Sequence, residues 1–124
     1  MYETGLSKSF VAWHVMPDVD GPEGELHTHD YRLDVVVSRA ELDERGMVCD
    51  IDVLDAALDE IVAVVAGKNV DVVRPPDAAA VTVEVLARWA HGALAPRLGV
   101  DGELSVRAWE SPVAFGGYAA PIRS

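Results

Sequence analysis

Residues 8–15, KSFVAWHV, alternate along their length: Phe10, Ala12 and His14 fall on one side, Val11, Trp13 and Val15 on the other. A period of two is that of a β-strand. The next stretch, MPDVDGPEGE, carries Pro17, Gly21, Pro22 and Gly24 and reads as a loop. Alternation returns in residues 26–39, LHTHDYRLDVVVSR, which predict a second strand and, with the first, an antiparallel hairpin. The segment AELDERGMVCD is turn-rich, with Gly46 as its pivot, and Asp50 or Asp52 can cap a helix start. In IDVLDAALDEIVAVVAG the period becomes helical. Leu54, Leu58, Ile61 and Val65 form one stripe, Asp55, Asp59 and Glu60 lie off it, and Gly67 suits the end. KNVDVVRPPDAAA reads as a connection, since Pro75 and Pro76 block a helix.

Thr82 then reads as an N-cap, and Glu84 suits the positive end of the helix dipole. The helix that follows, VEVLARWAHGALAPRL, places Leu86, Trp89 or Ala90, Ala93 and Leu94 on one face. Gly99 to Gly102 is a turn, and ELSVRAWE and VAFGGYAAP predict two last strands around Ser111 and Pro112. The order β-β-α-α-β-β, with strands and helices in separate runs, predicts an α+β fold. Its sheet is four-stranded and antiparallel, with a helix pair on one face. At 124 residues the chain is expected to form one domain, residues 1–124. An open sheet has two raw edges, and DVVV in the second strand is long and apolar, so pairing between subunits and a homo-oligomer are expected.

Composition narrows the function classes. No apolar run approaches the ~20 residues of a membrane helix. The N-terminus lacks a charged region followed by an apolar one, so a soluble, cytoplasmic protein is expected. The net charge is −11, from 21 acidic and 10 basic residues, and Lys8 and Lys68 are the only lysines. Such a surface repels phosphate backbones, which argues against nucleic-acid binding and against a polyanionic substrate unless arginines are focused locally. A single cysteine, Cys49, excludes an internal disulfide and a thiolate zinc cluster; it reads as a small buried hydrophobe at an element boundary.

The chemistry gathers on three of the four histidines. In a strand, His27 and His29 project to the same face, and in the predicted hairpin His14 faces them from the neighbouring strand. Three imidazoles from two strands suit Zn²⁺ with its fourth position open, the catalytic arrangement. Zinc there acts as a Lewis acid or lowers the pKa of a bound water or hydroxyl. His91 reads as an ordinary helix residue.

Taken in order, these motifs resemble the 6-pyruvoyl-tetrahydropterin synthase / 6-carboxy-tetrahydropterin synthase family, which has the T-fold. The family's Phe-x-Ala-x-His is similar to Phe10, Ala12 and His14, and its His-Gly-His-Asn-Tyr to HTHDY, with Thr28 and Asp30 substituted. GMVCDI and VTVEVLA resemble two further family motifs, the second keeping Thr82 and Glu84; VRAWESPVAFGGY resembles the closing one, with Glu110 and Tyr118. The resemblance runs from about residue 8 to residue 118. It implies zinc on His14, His27 and His29. It also implies trimers whose sheets join into a barrel, usually stacked as hexamers, with active sites between subunits. It makes Glu110 the substrate anchor, because two parallel N–H donors on a pterin ring pair with a carboxylate as a guanidinium does. Thr82 and Glu84 read as helix capping.

Two family features are replaced. The family's base is a cysteine shortly before the His-x-His pair; here Glu23 stands four residues before His27. Buried, Glu23 can serve as a general base; otherwise it is a solvated loop carboxylate beside Asp18, Asp20 and Glu25. The family's Asp-His proton relay after the first helix falls on Ala66 and Gly67, which move no proton, although Asp71 lies nearby in sequence. The chain is rich in Ala, Val, Asp and Arg and poor in Lys, as in high-GC bacteria. The expectation is a zinc-dependent lyase or cyclase, cleaving carbon-oxygen or carbon-carbon bonds in a diverged small-molecule substrate of bacterial metabolism. One alternative is a pterin synthase or aldolase acting on 7,8-dihydroneopterin triphosphate with Glu23 as base. Another is a catalytically silent, zinc-bound binding protein.

Overall fold

The structure, a computed structural model, describes residues 1–122, the side chain of Glu23 excepted. Its elements are β1 (Tyr2–His14), β2 (His27–Arg39), α1 (Ile51–Val65), α2 (Val83–Leu94), β3 (Gly102–Trp109) and β4 (Phe115–Ile122). Short 3₁₀ turns occupy Pro22–Gly24, Val70–Val73 and Ala95–Arg97. The strands form one sheet in the order β1-β2-β3-β4, with every neighbouring pair antiparallel. The element order and fold class follow the sequence pattern.

Alternation decides which face is covered. Phe10 and Ala12 of β1, Leu33, Val35 and Val37 of β2, and Leu104 and Val106 of β3 are all buried on one face. Against them pack Leu54, Leu58, Ile61 and Val65 of α1 and Leu86, Ala90 and Leu94 of α2. Each of the Val, Leu, Ile and Phe side chains among them contributes roughly 1.5–3 kcal/mol of apolar burial. Asp50 caps α1, its carboxylate accepting from the Asp52 N–H, and Thr82 caps α2, its hydroxyl accepting from the Val85 N–H. α2 lies close on β4 because residue 116 is glycine. A Cβ there would stand 2.8 Å from Val83 Cγ2 and 2.9 Å from Glu84 Cγ.

Several elements differ from the sequence-based expectation. β1 begins at Tyr2 rather than Lys8, because its polar first half is held by pairing along Val35–Arg39. The apolar DVVV run is not an edge: β2 is an inner strand, and the open edges belong to β1 and β4. Part of the β1 edge is also covered. Gly67, at φ 72°, reverses the chain after α1; its N–H donates to the Val11 carbonyl, and the Trp13 N–H donates to the Lys68 carbonyl. The segment beyond is not a bare connection, because Val70 and Val73 are buried in its 3₁₀ turn. α2 ends at Leu94, where Pro96 shifts the chain into 3₁₀ geometry. His91 is not a plain helix residue; it is buried, with Nε2 3.1 Å from the Ala120 carbonyl and its ring edge-on to Tyr118.

The face without helices is held by a polar network. The Asp34 carboxylate accepts from Ser7 Oγ at 2.6 Å, Trp109 Nε1 at 2.7 Å and Arg32 Nε at 3.0 Å. Burial pushes the Asp34 pKa up, but the hydrogen bonds from Ser7, Arg32 and Trp109 outweigh it and hold the carboxyl below its ordinary value. A depressed carboxylate pKa stabilises the fold above the unfolded value of about 3.9, and that contribution is lost as pH falls through the folded pKa. Asp34→Asn is therefore expected to flatten the loss of stability below about pH 4, relative to the parent protein, in denaturant titrations across pH. An unchanged acid slope would contradict the role given to this network.

Candidate metal centre and active site

The hairpin register sets the centre. His14 pairs directly with His27, and Ala12 with His29, so all three imidazoles project to the helix-covered face. One ligand nitrogen from each lies within 4.8 Å of the others. His14 is only 4% exposed, and neither Nδ1 nor Nε2 has a hydrogen-bond partner. A buried polar atom left unpaired costs about 1–3 kcal/mol. His27 Nδ1 stands 2.7 Å from the Glu25 carbonyl. A carbonyl only accepts, so Nδ1 carries the proton and Nε2 the lone pair. That Nε2 stands 2.8 Å from Nε2 of His29.

The electrostatics keep His14 neutral. Burial lowers its pKa most, followed by the nearby His27 and His29; Glu110 and Asp71 act in the opposite direction and do not overcome them. A neutral imidazole is the form that ligates a metal. Orphaned buried nitrogens on a neutral His14 and a carbonyl fixing the His27 tautomer fit a metal ion held by His14, His27 and His29.

One depression opens beside His14, and a second lies mainly on the helix-free face of the sheet. The first, of about 360 Å³, is lined by His14, by Met16 and Val19 of the β1–β2 loop, by Thr82 and Glu84 at the start of α2, and by Glu110. The second, of about 350 Å³, lies where β2 runs past the end of its pairing with β3; Asp30, Arg32 and Trp109, which line it with Glu110, project to the face opposite the imidazoles. Glu110 lines both. It follows β3 directly, and its N–H donates to the Ala114 carbonyl, closing the β3–β4 turn. The Ser111 hydroxyl accepts from the N–H groups of Val113 and Ala114, which fixes the same turn.

Of the residues named from sequence, His14, His27, His29 and Glu110 come together here. The backbone of Glu23 lies in the 3₁₀ turn of the loop over the first depression; its side chain falls outside the described residues. Cys49 lines neither depression, and burial raises its thiol pKa, so it is a poor nucleophile. Ala66 and Gly67 serve the β1 edge. Thr82 and Glu84 cap α2 and also line the first depression, a second role that capping alone did not predict. The signal for it was Gly116, since only its missing Cβ brings their helix end to this position.

The family model for 6-pyruvoyl tetrahydropterin synthase matches residues 5–121. The chain belongs to this family. Its fold matches the Caenorhabditis elegans 6-pyruvoyl tetrahydropterin synthase at a TM-score of 0.76 and 21% identity, covering 96% of this chain and 95% of that one. The Plasmodium falciparum 6-pyruvoyl tetrahydropterin synthase matches at a TM-score of 0.77 and 12% identity, covering 96% and 97%. A Plasmodium vivax 6-pyruvoyltetrahydropterin synthase, in which a glutamate described as a catalytic residue is replaced by alanine, matches at 0.67 and 13%, covering 98% of each chain. No curated protein sequence matches this chain. No helix among the described residues is long and apolar enough to cross a membrane.

Titration of metal-free protein with Zn²⁺ is expected to give one ion per chain, and His27→Ala is expected to lose it. A His27→Ala protein that still holds one ion per chain would contradict this ligand set.

Proposed function

We propose that this protein is a zinc-dependent lyase that cleaves a carbon-oxygen or carbon-carbon bond next to a pterin-like ring. The observation that carries the reading is the convergence of His14, His27 and His29, with both nitrogens of His14 buried and unpaired and His14 lining a depression together with Glu110. Family membership supports it. Zinc, once bound, supplies Lewis acidity to a hydroxyl or carbonyl of the substrate.

The chain's own residues do the rest. The Glu110 carboxylate accepts two parallel N–H donors of a planar, guanidinium-like ring edge and so sets the ring's orientation. Its position after β3, beside a turn tied by Ser111, makes that anchor rigid. Met16 and Val19 give the ring apolar cover, and Glu84 adds a second acceptor. Glu23 takes the place of the missing cysteine as the base that removes the substrate proton. A glutamate described as catalytic in the Plasmodium vivax protein supports that assignment. The protein acts as a trimer or a stacked hexamer in the cytoplasm, its open β1 and β4 edges pairing between copies.

A second reading is a zinc-bound protein without turnover. It is favoured by Ala66 and Gly67, which occupy the proton-relay positions and close the β1 edge instead. Metal analysis of the purified protein, followed by mass spectrometry of reactions with dihydropterins, separates the two. Stoichiometric zinc with a cleaved product, lost in Glu23→Gln and with KM raised at least tenfold in Glu110→Gln, is the expected outcome. Zinc without any product would favour the silent reading, and absence of zinc would overturn both.

A further inference from the structure

At the site end of the β1–β2 hairpin, successive cross-strand pairs on the helix-covered face are His14 with His27, Ala12 with His29 and Phe10 with Tyr31. The first two pairs carry the imidazoles. The third belongs to the apolar core, with Phe10 8% and Tyr31 3% exposed. It is also a stack: the ring centroids are 5.5 Å apart and the planes 19° apart. Tyr31 is therefore fixed by Phe10. Its neighbour on the same face of β2 is His29, two residues back. These two rings meet edge-on, with centroids 5.5 Å apart and planes 68° apart. His29 meets His27 on its other side, at 4.5 Å and 83°. The His29 ring thus stands between another ligand and a core aromatic.

The three imidazoles are held by different means. His14 is buried, and the Glu25 carbonyl orients His27 through its Nδ1. The Nε2 of His29 bonds to the Nε2 of His27. A metal on His27 takes the lone pair that accepts this bond, so the bond ends once the ion is held. The cross-strand partner of His29 is Ala12, whose methyl has no ring to align it. The contact that still orients the ring is the one with Tyr31. Orientation here needs support, because the torsion about a histidine's Cβ–Cγ bond is broad. The backbone is also less constrained at this point. From His27 to Tyr31, β2 pairs with β1 alone, and its pairing with β3 starts at Arg32. A two-stranded ribbon twists more than a wider sheet. Tyr31 stands at the root of that ribbon, inside the core.

We propose that Tyr31 is a positioning residue for the metal centre: its ring, held by the stack on Phe10, aims the His29 imidazole and so sets how tightly the ion is held. This rests on the metal centre described above and adds a residue to it.

The test loads the full chain with Zn²⁺ or Co²⁺ alone. Competition with a chelator reads the zinc affinity, and the visible bands of the Co²⁺ form read the ligand geometry. Tyr31→Phe keeps the ring and is expected to bind zinc as the parent does. Tyr31→Leu keeps apolar bulk without the ring. It is expected to weaken zinc binding about tenfold, the lower end of what orienting partners of metal ligands contribute, and to shift the Co²⁺ bands. A merely structural role would lower the stability of the metal-free protein and leave the affinity and bands of the folded variant unchanged; that result would overturn the proposal. An equal loss in Tyr31→Phe would overturn it too, because the hydroxyl and not the ring would then be acting. Where Tyr31→Leu does not fold, Phe10→Leu takes its place, since it leaves Tyr31 and all three ligands present. It is expected to weaken zinc binding about threefold, the scale of a single aromatic pair, and an unchanged affinity there would overturn the proposal. A parent protein that takes up no zinc would remove the metal centre itself, whereas a zinc-holding parent with insensitive variants would remove this proposal alone.

Discussion

The site depends on the register between β1 and β2. Side chains alternate faces with a period of two, so a slip of one residue would turn one strand's histidines to the opposite face from the other's. The pairing of His14 with His27 holds because Phe10 and Ala12, and then Leu33, Val35 and Val37, must be buried on that same face. The apolar core thus fixes the position of three polar rings it would otherwise reject. The segment after α1 adds a second lock. Gly67 and Lys68 bond to Val11 and Trp13, so the end of β1 that carries His14 is clamped on both sides.

The same clamp gives Gly67 a backbone role. Gly67 sits at positive φ and uses its N–H to close the strand edge, so the position serves the backbone. The described carboxylates that line the depression beside His14 come from other elements, Glu110 after β3 and Glu84 at the start of α2. Together they give that depression an acidic lining, which suits planar N–H donors.

Much of this was legible in the sequence. KSFVAWHV and LHTHDY carry the alternation that puts the histidines on one face, and Leu54, Leu58, Ile61 and Val65 mark the helix covering it. Asp50 and Thr82 announced the two helix starts. What stayed hidden depends on contacts distant along the chain. Tyr2 to Ser7 carry too few apolar residues to read as a strand, and only their pairing partners order them. DVVV is as apolar as it is because it is an inner strand, a fact set by sheet order that local pattern does not contain. The burial of His91 against β4 and the second role of Thr82 and Glu84 both follow from the close approach of α2 to β4 at Gly116.

The central claim is that three imidazoles from one hairpin hold the metal. X-ray absorption spectroscopy of the zinc-loaded protein addresses it directly, because zinc–nitrogen and zinc–sulfur distances differ. The account predicts three imidazole nitrogens at about 2.0–2.1 Å with one light atom completing the shell. A sulfur neighbour near about 2.3 Å would place Cys49 in the site, and a shell of oxygens alone would empty it of histidine; either result would contradict the account.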